Sequence, residues 1–503
     1  MTGVPPLLIA TLPAHGVAEA TAQIASARVA GADLAEVRFD RWPAEERGRA
    51  AELFPSVLPL VATLRSTAEG GAGPVEAAER EQFLATLQRL PFHFIDRELD
   101  RDPFPPLRAA GAIAAHPGTI ASIHLSKVPS RDALVRTLFR EAVGARLRKV
   151  VIPATLNEFF SEVLPALPDP IAPDLVVLTT GPSGPLLRAW AMRLGLPVVF
   201  GSLPSSTVPD AGPGVEPSQI PVDRLRRYFE TGGRGPVFGV VGRHVGRSLS
   251  PAIHSRWYRE AHVNGLYIPL EAGSEAELTD SLIPLAERGF RGLNVTAPWK
   301  RAARALATAE SPAVARAGCA NTLTLGEDGV SAENTDVGAI LRRFRELATE
   351  GRWDQSGVLV VGSGGAARAT LAAAQVLGIP AEILARSRTE AKELAREFGT
   401  EIAEGALQPK PLVVHATPVG QTDAAELTVD LRAALAPGTH LVDWVYSPTS
   451  PILEALARNA GASYENGWRL LVYQAADSFE VWWGVRPTED SLRRLVQEGP
   501  CAA

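Results

Sequence analysis

From residue 7 to residue 229 the chain alternates short apolar, β-rich runs with amphipathic stretches. The runs fall at 7–12, 34–40, 57–64, 92–99, 119–125, 146–155, 175–180 and 197–203. Between them lie helix-like segments such as 17–30, 75–89, 131–143 and 156–167. Each strand-like run is followed by a helical or loop return, and eight such units in about 225 residues fit a (β/α)8 barrel. An open doubly wound sheet is the rival arrangement for the same pattern.

The pattern changes at residues 228–236, where the end of a predicted helix carries Gly232, Gly233, Gly235 and Pro236. Glycine frees the backbone there and proline forbids helix continuation. A new apolar run at 237–242 opens a second region, with a helix from Pro251, a strand at 264–270 and a helix from Ser274. Farther on, the run 357–361 leads straight into Gly362-Ser363-Gly364-Gly365-Ala366-Ala367 and an alanine-rich helix. Strand, glycine-rich turn and helix form a dinucleotide-binding opening whose backbone N–H groups face a pyrophosphate. The chain therefore reads as an N-terminal (β/α)8 barrel over 1–229 followed by a second α/β region that contains a Rossmann lobe.

Composition narrows the partners. A formal net charge of −6 provides no basic excess for nucleic acid or an anionic membrane. The two cysteines, Cys319 and Cys501, make no disulfide framework. No apolar run approaches the roughly 20 residues that span a bilayer, and no basic leader precedes the first strand. The expectation is a cytoplasmic protein acting on small molecules, without a metal. Oligomeric state carries no signal in the sequence.

In a barrel, chemistry gathers at the carboxyl ends of the strands. That is where the charges of the first half fall. Glu36 and Arg38 alternate along the second strand and so share a face. Arg65 ends the third strand, Asp96 and Glu98 lie in the fourth, His124 ends the fifth and Lys149 sits within the sixth. Arg188 follows the seventh. A lone strand lysine or histidine is ordinarily structural, but several charges at one barrel mouth are costly to bury without a task.

Glu36-Val37-Arg38-Phe39-Asp40, Thr63-Leu64-Arg65-Ser66, Ser122-Ile123-His124, Lys149-Val150-Val151 and Phe200-Gly201-Ser202, in this order, resemble type I 3-dehydroquinate dehydratase over about 1–228. The resemblance implies that Lys149 forms a Schiff base with the substrate ketone and that His124 shuttles protons. It implies that Arg188 clamps the substrate carboxylate, and that Glu36, Arg38 and Arg65 hold hydroxyls and orient the ring. Ser206 and Gln219 match the lid of that family, although the lid is stretched here. Thr180-Gly181 stands where the family has methionine-glycine, and Leu187 replaces a serine. Attack by Lys149 needs a free amine, which cationic neighbours (Arg38, Arg65 and Arg188) are expected to favour.

The second half resembles shikimate dehydrogenase across 235–497, which implies a two-lobed α/β dehydrogenase with a substrate-binding lobe over 235–345 and 465–503 and a Rossmann NADP-binding lobe over 346–464. Ser248-Leu249-Ser250-Pro251, Asn294-Val295-Thr296-Ala297-Pro298-Trp299-Lys300, Asn321-Thr322, Asn334-Thr335-Asp336 and the glycine-rich loop carry it. The resemblance implies that Ser248 and Ser250 hold the substrate carboxylate. Asn294, Thr296, Asn321, Tyr446 and Gln474 contact the rest of the substrate, and Lys300 with Asp336 forms the catalytic pair. Residues 362–367 with Thr417, Val445 and Gly467 line the cofactor. After the second strand of the Rossmann lobe come Arg386-Ser387-Arg388-Thr389. NAD binding expects an acid there, so two arginines and no acid point to the 2′-phosphate of NADP. His415-Ala416-Thr417 stands where the family has Asn-Ala-Thr.

The two implied reactions are consecutive: dehydroquinate loses water to dehydroshikimate, and NADPH reduces that to shikimate. The alternatives are a quinate- or shikimate-oxidising enzyme, and a sensor in which one half binds ligand without turnover.

Overall fold

The computed structural model describes residues 4–103, 118–142, 144–204, 216–404, 407–418, 430–446 and 451–500. It divides into two compact units, Met1–Val237 with Asn264–Gly289, and Phe238–Val263 with Phe290–Ala503. Among the described residues no helix is long and apolar enough to cross a membrane.

The first unit is built on eight parallel strands: β1 Leu7–Leu12, β2 Leu34–Arg38, β3 Leu60–Thr63, β4 Phe94–Glu98, β5 Gly118–His124, β6 Leu147–Pro153, β7 Leu175–Thr180 and β8 Val198–Ser202. Their order is β7-β6-β5-β4-β3-β2-β1-β8, so β1 and β8 pair and the barrel closes except for a ladder between β7 and β8. Alternation along each strand decides what fills it. Ile9, Leu34, Val61, Phe94, Ile120, Leu147, Val176 and Val198 form one apolar cluster drawn from all eight strands. Two residues farther along, the same inward face carries Thr11, Glu36, Thr63, Asp96, Ser122 and Lys149. One barrel interior thus runs from hydrocarbon to buried charge toward the carboxyl ends.

The strands are shorter than the apolar runs suggest, for local reasons. The second ends at Arg38 because Phe39–Arg41 turns into a 3-10 helix, with Arg38 donating to Asp40 at 2.8 and 2.9 Å. Pro59 precedes β3, which begins at Leu60. The helix of 156–167 contains a π-helical turn at Phe159–Val163.

The first unit also contains β10 Leu266–Glu271 and the helix Glu275–Glu287. Glu277 is buried and accepts from the backbone N–H of Gly273 at 2.7 Å and of Asn157 at 3.2 Å. Arg193 donates to the carbonyls of Arg288, Arg234 and Gly235, the last two at 3.0 Å. Gly289, at φ +95°, admits no side chain, because a Cβ would meet the Arg193 guanidinium.

The second unit holds β9 Val237–Gly242 and the strands β11 Phe290–Val295, β12 Ala309–Glu310, β13 Thr322–Gly326 and β14 Gly329–Glu333. Of these, β11 and β14 both pair antiparallel with β13. The unit's other sheet comprises β15 Val358–Val361, β16 Ala381–Leu384, β17 Glu401–Ile402, β18 Leu412–His415, β19 His440–Asp443 and β20 Ser463–Glu465. Its order, β17-β16-β15-β18-β19-β20, is wholly parallel and reverses direction between β15 and β18. This is the Rossmann arrangement, whose ligand crevice opens outside the carboxyl ends of the strands at that reversal.

Arg193 gathers three carbonyls that no other described side chain takes together. Arg193→Ala should raise backbone hydrogen exchange in residues 264–289 by about 10-fold or more, since hydrogen bonds from a charged donor contribute roughly 1.5–3 kcal/mol. Strands β1–β8 should change less. Uniform exchange across both regions would contradict this anchoring.

Candidate active sites

At the barrel mouth, Asp96 is the shared acceptor. Its carboxylate takes a hydrogen bond from Arg65 at 2.7 Å, from the Ser122 hydroxyl at 2.5 Å and from Lys149 Nζ at 3.1 Å. Burial opposes its ionisation, yet Arg65 and then Lys149 hold it well below the ordinary carboxylate range. Glu36 lies 3.8 Å from Lys149 Nζ and accepts from Thr11 and Thr63, both at 2.8 Å. The Phe200 ring faces the same ammonium at 4.2 Å. The nearest charges to Lys149 are therefore carboxylates, not the three arginines that the sequence suggested. Arg65 spends itself on Asp96, Glu69, Glu98 and Ser122. Arg38 is committed to Asp40.

Arg188 is buried and bridges the open edge of the barrel. It donates to Phe200 O on β8 at 2.9 Å, and to Thr179 O on β7 at 2.7 Å and Gly184 O at 2.5 Å. Burial lowers it to about 10, with Glu216 opposing, so it stays charged at neutral pH. Its Nη2 takes none of these carbonyls. Gln219 reaches the mouth, donating to Thr11 Oγ1 at 3.2 Å. Ser206 lies outside the described residues.

One residue escaped the sequence reading. Glu69, at the end of the 3-10 turn Thr67–Glu69 that follows β3, accepts from the His124 backbone at 3.2 Å and meets His124 Nδ1 at 2.9 Å. Burial is the main cause that raises Glu69, to about 7; Arg65 opposes it, while Glu98 and Asp96 reinforce it. His124 is held well below its usual range by burial, then by Arg65 and Lys149. It is therefore neutral at pH 7. No strand period marks Glu69; only its four-residue offset from Arg65, with which it pairs at 2.9 Å, hints at its place.

In the second unit Lys300 Nζ meets Asp336 Oδ2 at 2.5 Å. Lys300 opens the helix Lys300–Ala305, and Asp336 lies in the first turn of Thr335–Thr349, capped by Asn334. Asn294 donates to Thr322 at 3.0 Å and to Ser478 at 2.8 Å. Asn321 donates to Thr335 Oγ1 at 2.9 Å and accepts from its N–H at 2.8 Å. Ser478, which the sequence reading overlooked, comes from the helix Trp468–Trp483 that also carries Gln474. Gln474 donates to Leu471 O at 3.1 Å. The Ser250 N–H points to Ser248 Oγ at 3.3 Å. Burial raises Tyr446, while Ser248 and the Leu249 backbone oppose that shift. Thr296 donates its N–H to Val241 O at 2.9 Å, at the end of β9.

The glycine-rich loop leaves β15 through Gly362 at φ +126°, where a Cβ would lie 2.6 Å from Ala416 O. Open space surrounds a Cβ built at Gly364, and one at Gly365 would press on the Lys300 stem at 2.6 Å. The helix Gly365–Leu377 begins there, with Ala367 buried under it. Ser363 donates to Glu390 at 2.5 Å. Ser387 caps the helix Arg388–Phe398, and Arg386, Arg388 and Thr389 are exposed, with Arg388 paired to Glu404 at 2.7 Å. Across the crevice, Val445 donates its N–H to Asp443 at 3.1 Å, and Gly467 donates to Val445 O at 2.9 Å.

Comparison with known proteins gives two family matches. Residues 8–235 match the model described as type I 3-dehydroquinase, and residues 240–323 match the shikimate dehydrogenase substrate binding domain. A shikimate dehydrogenase (NADP(+)) of Cereibacter sphaeroides is 38% identical over 274 residues, 52% of this chain and 97% of that protein. The protein of the same name from Acidiphilium cryptum is 36% identical over 270 residues, 52% of this chain and 96% of its own length. Among solved structures, shikimate 5-dehydrogenase from Thermus thermophilus in complex with NADP(H) and shikimate is 29% identical. It covers 52% of this chain and 99% of its own, at a TM-score of 0.47.

Glu69 makes a pH test of the barrel mouth. Its folded value near 7 exceeds the ordinary 4.5, so its contribution is full below 4.5 and is lost as pH rises through 7. Relative to Glu69→Gln, the unmutated protein should lose about 3 kcal/mol across that window, read as a fall in urea midpoint. Parallel midpoint curves for the two proteins would show that Glu69 ionises normally.

Proposed function

This chain belongs to the shikimate dehydrogenase family through its second half, and with the type I 3-dehydroquinase match over its first half we propose that it is a bifunctional shikimate-pathway enzyme. It dehydrates 3-dehydroquinate to 3-dehydroshikimate and reduces that product to shikimate with NADPH. The two activities divide as a dehydratase over 1–229, a substrate-binding lobe over 235–345 and 465–503, and an NADP-binding lobe over 346–464. The single observation that carries the reading is the pairing of both matches on one chain, each spanning a lysine whose ammonium meets a carboxylate.

In the dehydratase, Lys149 attacks the substrate ketone, and loss of water from the carbinolamine leaves an iminium. The iminium withdraws electrons from the adjacent carbon, whose proton His124 removes. The resulting enamine expels the neighbouring hydroxyl as His124 returns the proton to it, and water then hydrolyses the imine to free Lys149. Asp96 and Glu36 orient the Lys149 nitrogen. Glu69 accepts from His124 Nδ1–H when ionised and so leaves Nε2 as the base. Arg188 has Nη2 available for the substrate carboxylate, a task suited to its planar fork. Arg38, Arg65, Ser206 and Gln219 complete the ring contacts.

In the dehydrogenase, Ser248 and Ser250 hold the carboxylate at the start of a helix, and Tyr446 closes beside them. Asn294, Thr296, Asn321 and Gln474 take the ring hydroxyls. The alkoxide that forms at the ketone carbon receives its proton from Lys300, which Asp336 orients.

The residues present fit NADP. The Gly364 backbone is open to a ligand, the helix from Gly365 directs its first N–H groups outward, and two exposed arginines follow β16 where an acid would otherwise select NAD. Residues 362–367 would hold the pyrophosphate, Arg386 to Thr389 the 2′-phosphate, and Thr417, Val445 and Gly467 the nicotinamide end. NADPH, when bound, supplies the hydride.

The test is a coupled assay in which dehydroquinate and NADPH are mixed with the protein and absorbance loss is followed. Borohydride added with dehydroquinate should trap a mass adduct on Lys149, and Lys149→Ala should abolish dehydration while dehydroshikimate reduction continues. Dehydration that persists without an adduct at Lys149 would sink the Schiff-base assignment.

For the cofactor, Arg388→Ala should cut the NADP-over-NAD preference by about 10- to 100-fold, the value of one charge-assisted phosphate contact. Equal use of NAD and NADP by the unmutated enzyme would remove the basis for this assignment.

A further inference from the structure

His415 ends β18 in register with Val361 on β15 and with Asp443 on β19. Strands β15 and β18 flank the reversal of the Rossmann sheet, so the ring lies beneath the cofactor crevice. It is fully buried. Nδ1 meets Asp443 Oδ1 at 2.8 Å, and Nε2 meets Thr417 Oγ1 at 2.6 Å. Asp443 is engaged on both oxygens: Val445 N–H donates to Oδ1 at 3.1 Å and the Tyr464 hydroxyl to Oδ2 at 3.2 Å. A carboxylate that accepts at both oxygens requires a donor at Nδ1, so Asp443 fixes the orientation of the ring and presents Nε2 to the Thr417 hydroxyl.

Thr417 stands against the glycine-rich loop. A Cβ added at Gly362 would lie 2.6 Å from Ala416 O and 3.3 Å from the Thr417 methyl. From this chain of contacts we infer that His415 is a positioning residue that holds the Thr417 hydroxyl against the glycine-rich loop, where it meets the nicotinamide–ribose half of the cofactor. Asp443 acts one step farther back by fixing the imidazole ring. The inference rests on the reading of Thr417 as a cofactor residue.

The experiment is NADPH binding to the full-length protein, followed by the change in NADPH fluorescence, for Thr417→Val, His415→Leu and the double variant. Thr417→Val and His415→Leu should each raise Kd by about 10-fold, and the double variant no more than either alone. The shikimate KM should move by less than about twofold, because its site lies in other elements. Asp443→Ala removes the acceptor that fixes the ring, so it serves if His415→Leu does not fold. It too should weaken NADPH binding, and only when Thr417 is present.

If Thr417→Val leaves Kd unchanged, Thr417 is not a cofactor residue and the inference falls with that assignment. If Thr417→Val weakens binding while the His415 or Asp443 change does nothing, or the losses multiply, His415 is structural and only the present inference is overturned.

Discussion

The barrel half depends on one buried carboxylate. Asp96 is the acceptor shared by Arg65, Ser122 and Lys149, the one carboxylate that both buried cations bond. Removing one member of such a network leaves an uncompensated buried charge, at a cost of about 3–5 kcal/mol. The network is affordable only because every member is engaged: Glu36 by two threonine hydroxyls, Glu98 by the N–H and hydroxyl of Ser66, and Arg65 by four partners. Packing below and polar satisfaction above are parts of one design, set by the period-2 alternation of eight strands.

The second unit achieves order differently, by meeting strand ends with helix starts. Asp336 and Lys300 lie on two helices whose first turns converge, and Gly365 lets the Lys300 stem approach the cofactor loop. Asn294, Thr322, Thr335 and Ser478 are joined by hydroxyl and amide hydrogen bonds without a net charge among them. Neutral donors that can also accept suit a ligand rich in hydroxyls, whereas fixed cations suit the carboxylate and ketone handled in the barrel.

The strands were legible in the sequence because alternation and apolar runs report burial directly, and so were the charges borne on them. Lys149, Glu36 and His124 lie on strands whose inward face the pattern already defines. Glu69 was not legible: it ends a single 3-10 turn too short to show a period, and only closure of the barrel brings it 55 residues along the chain to His124. The environment of Lys149 was misjudged for a related reason. The sequence reveals which residue types share a mouth, but not that Arg65 and Arg38 are already taken by carboxylates.

Both proposed sites pair a lysine with a carboxylate, and the surroundings explain why one pair suits covalent chemistry and the other proton transfer. Lys149 is held on several sides, by Asp96 at 3.1 Å, by Glu36 at 3.8 Å and by the face of Phe200 at 4.2 Å. Such confinement fixes the nitrogen for bond formation. Lys300 has one carboxylate partner at 2.5 Å and a stem lying along a glycine. A single partner orients the ammonium yet leaves its other N–H bonds free to face an oxygen that gains charge, which is what a proton donor needs. The same two functional groups therefore serve two successive steps, distinguished by the number of contacts around the nitrogen.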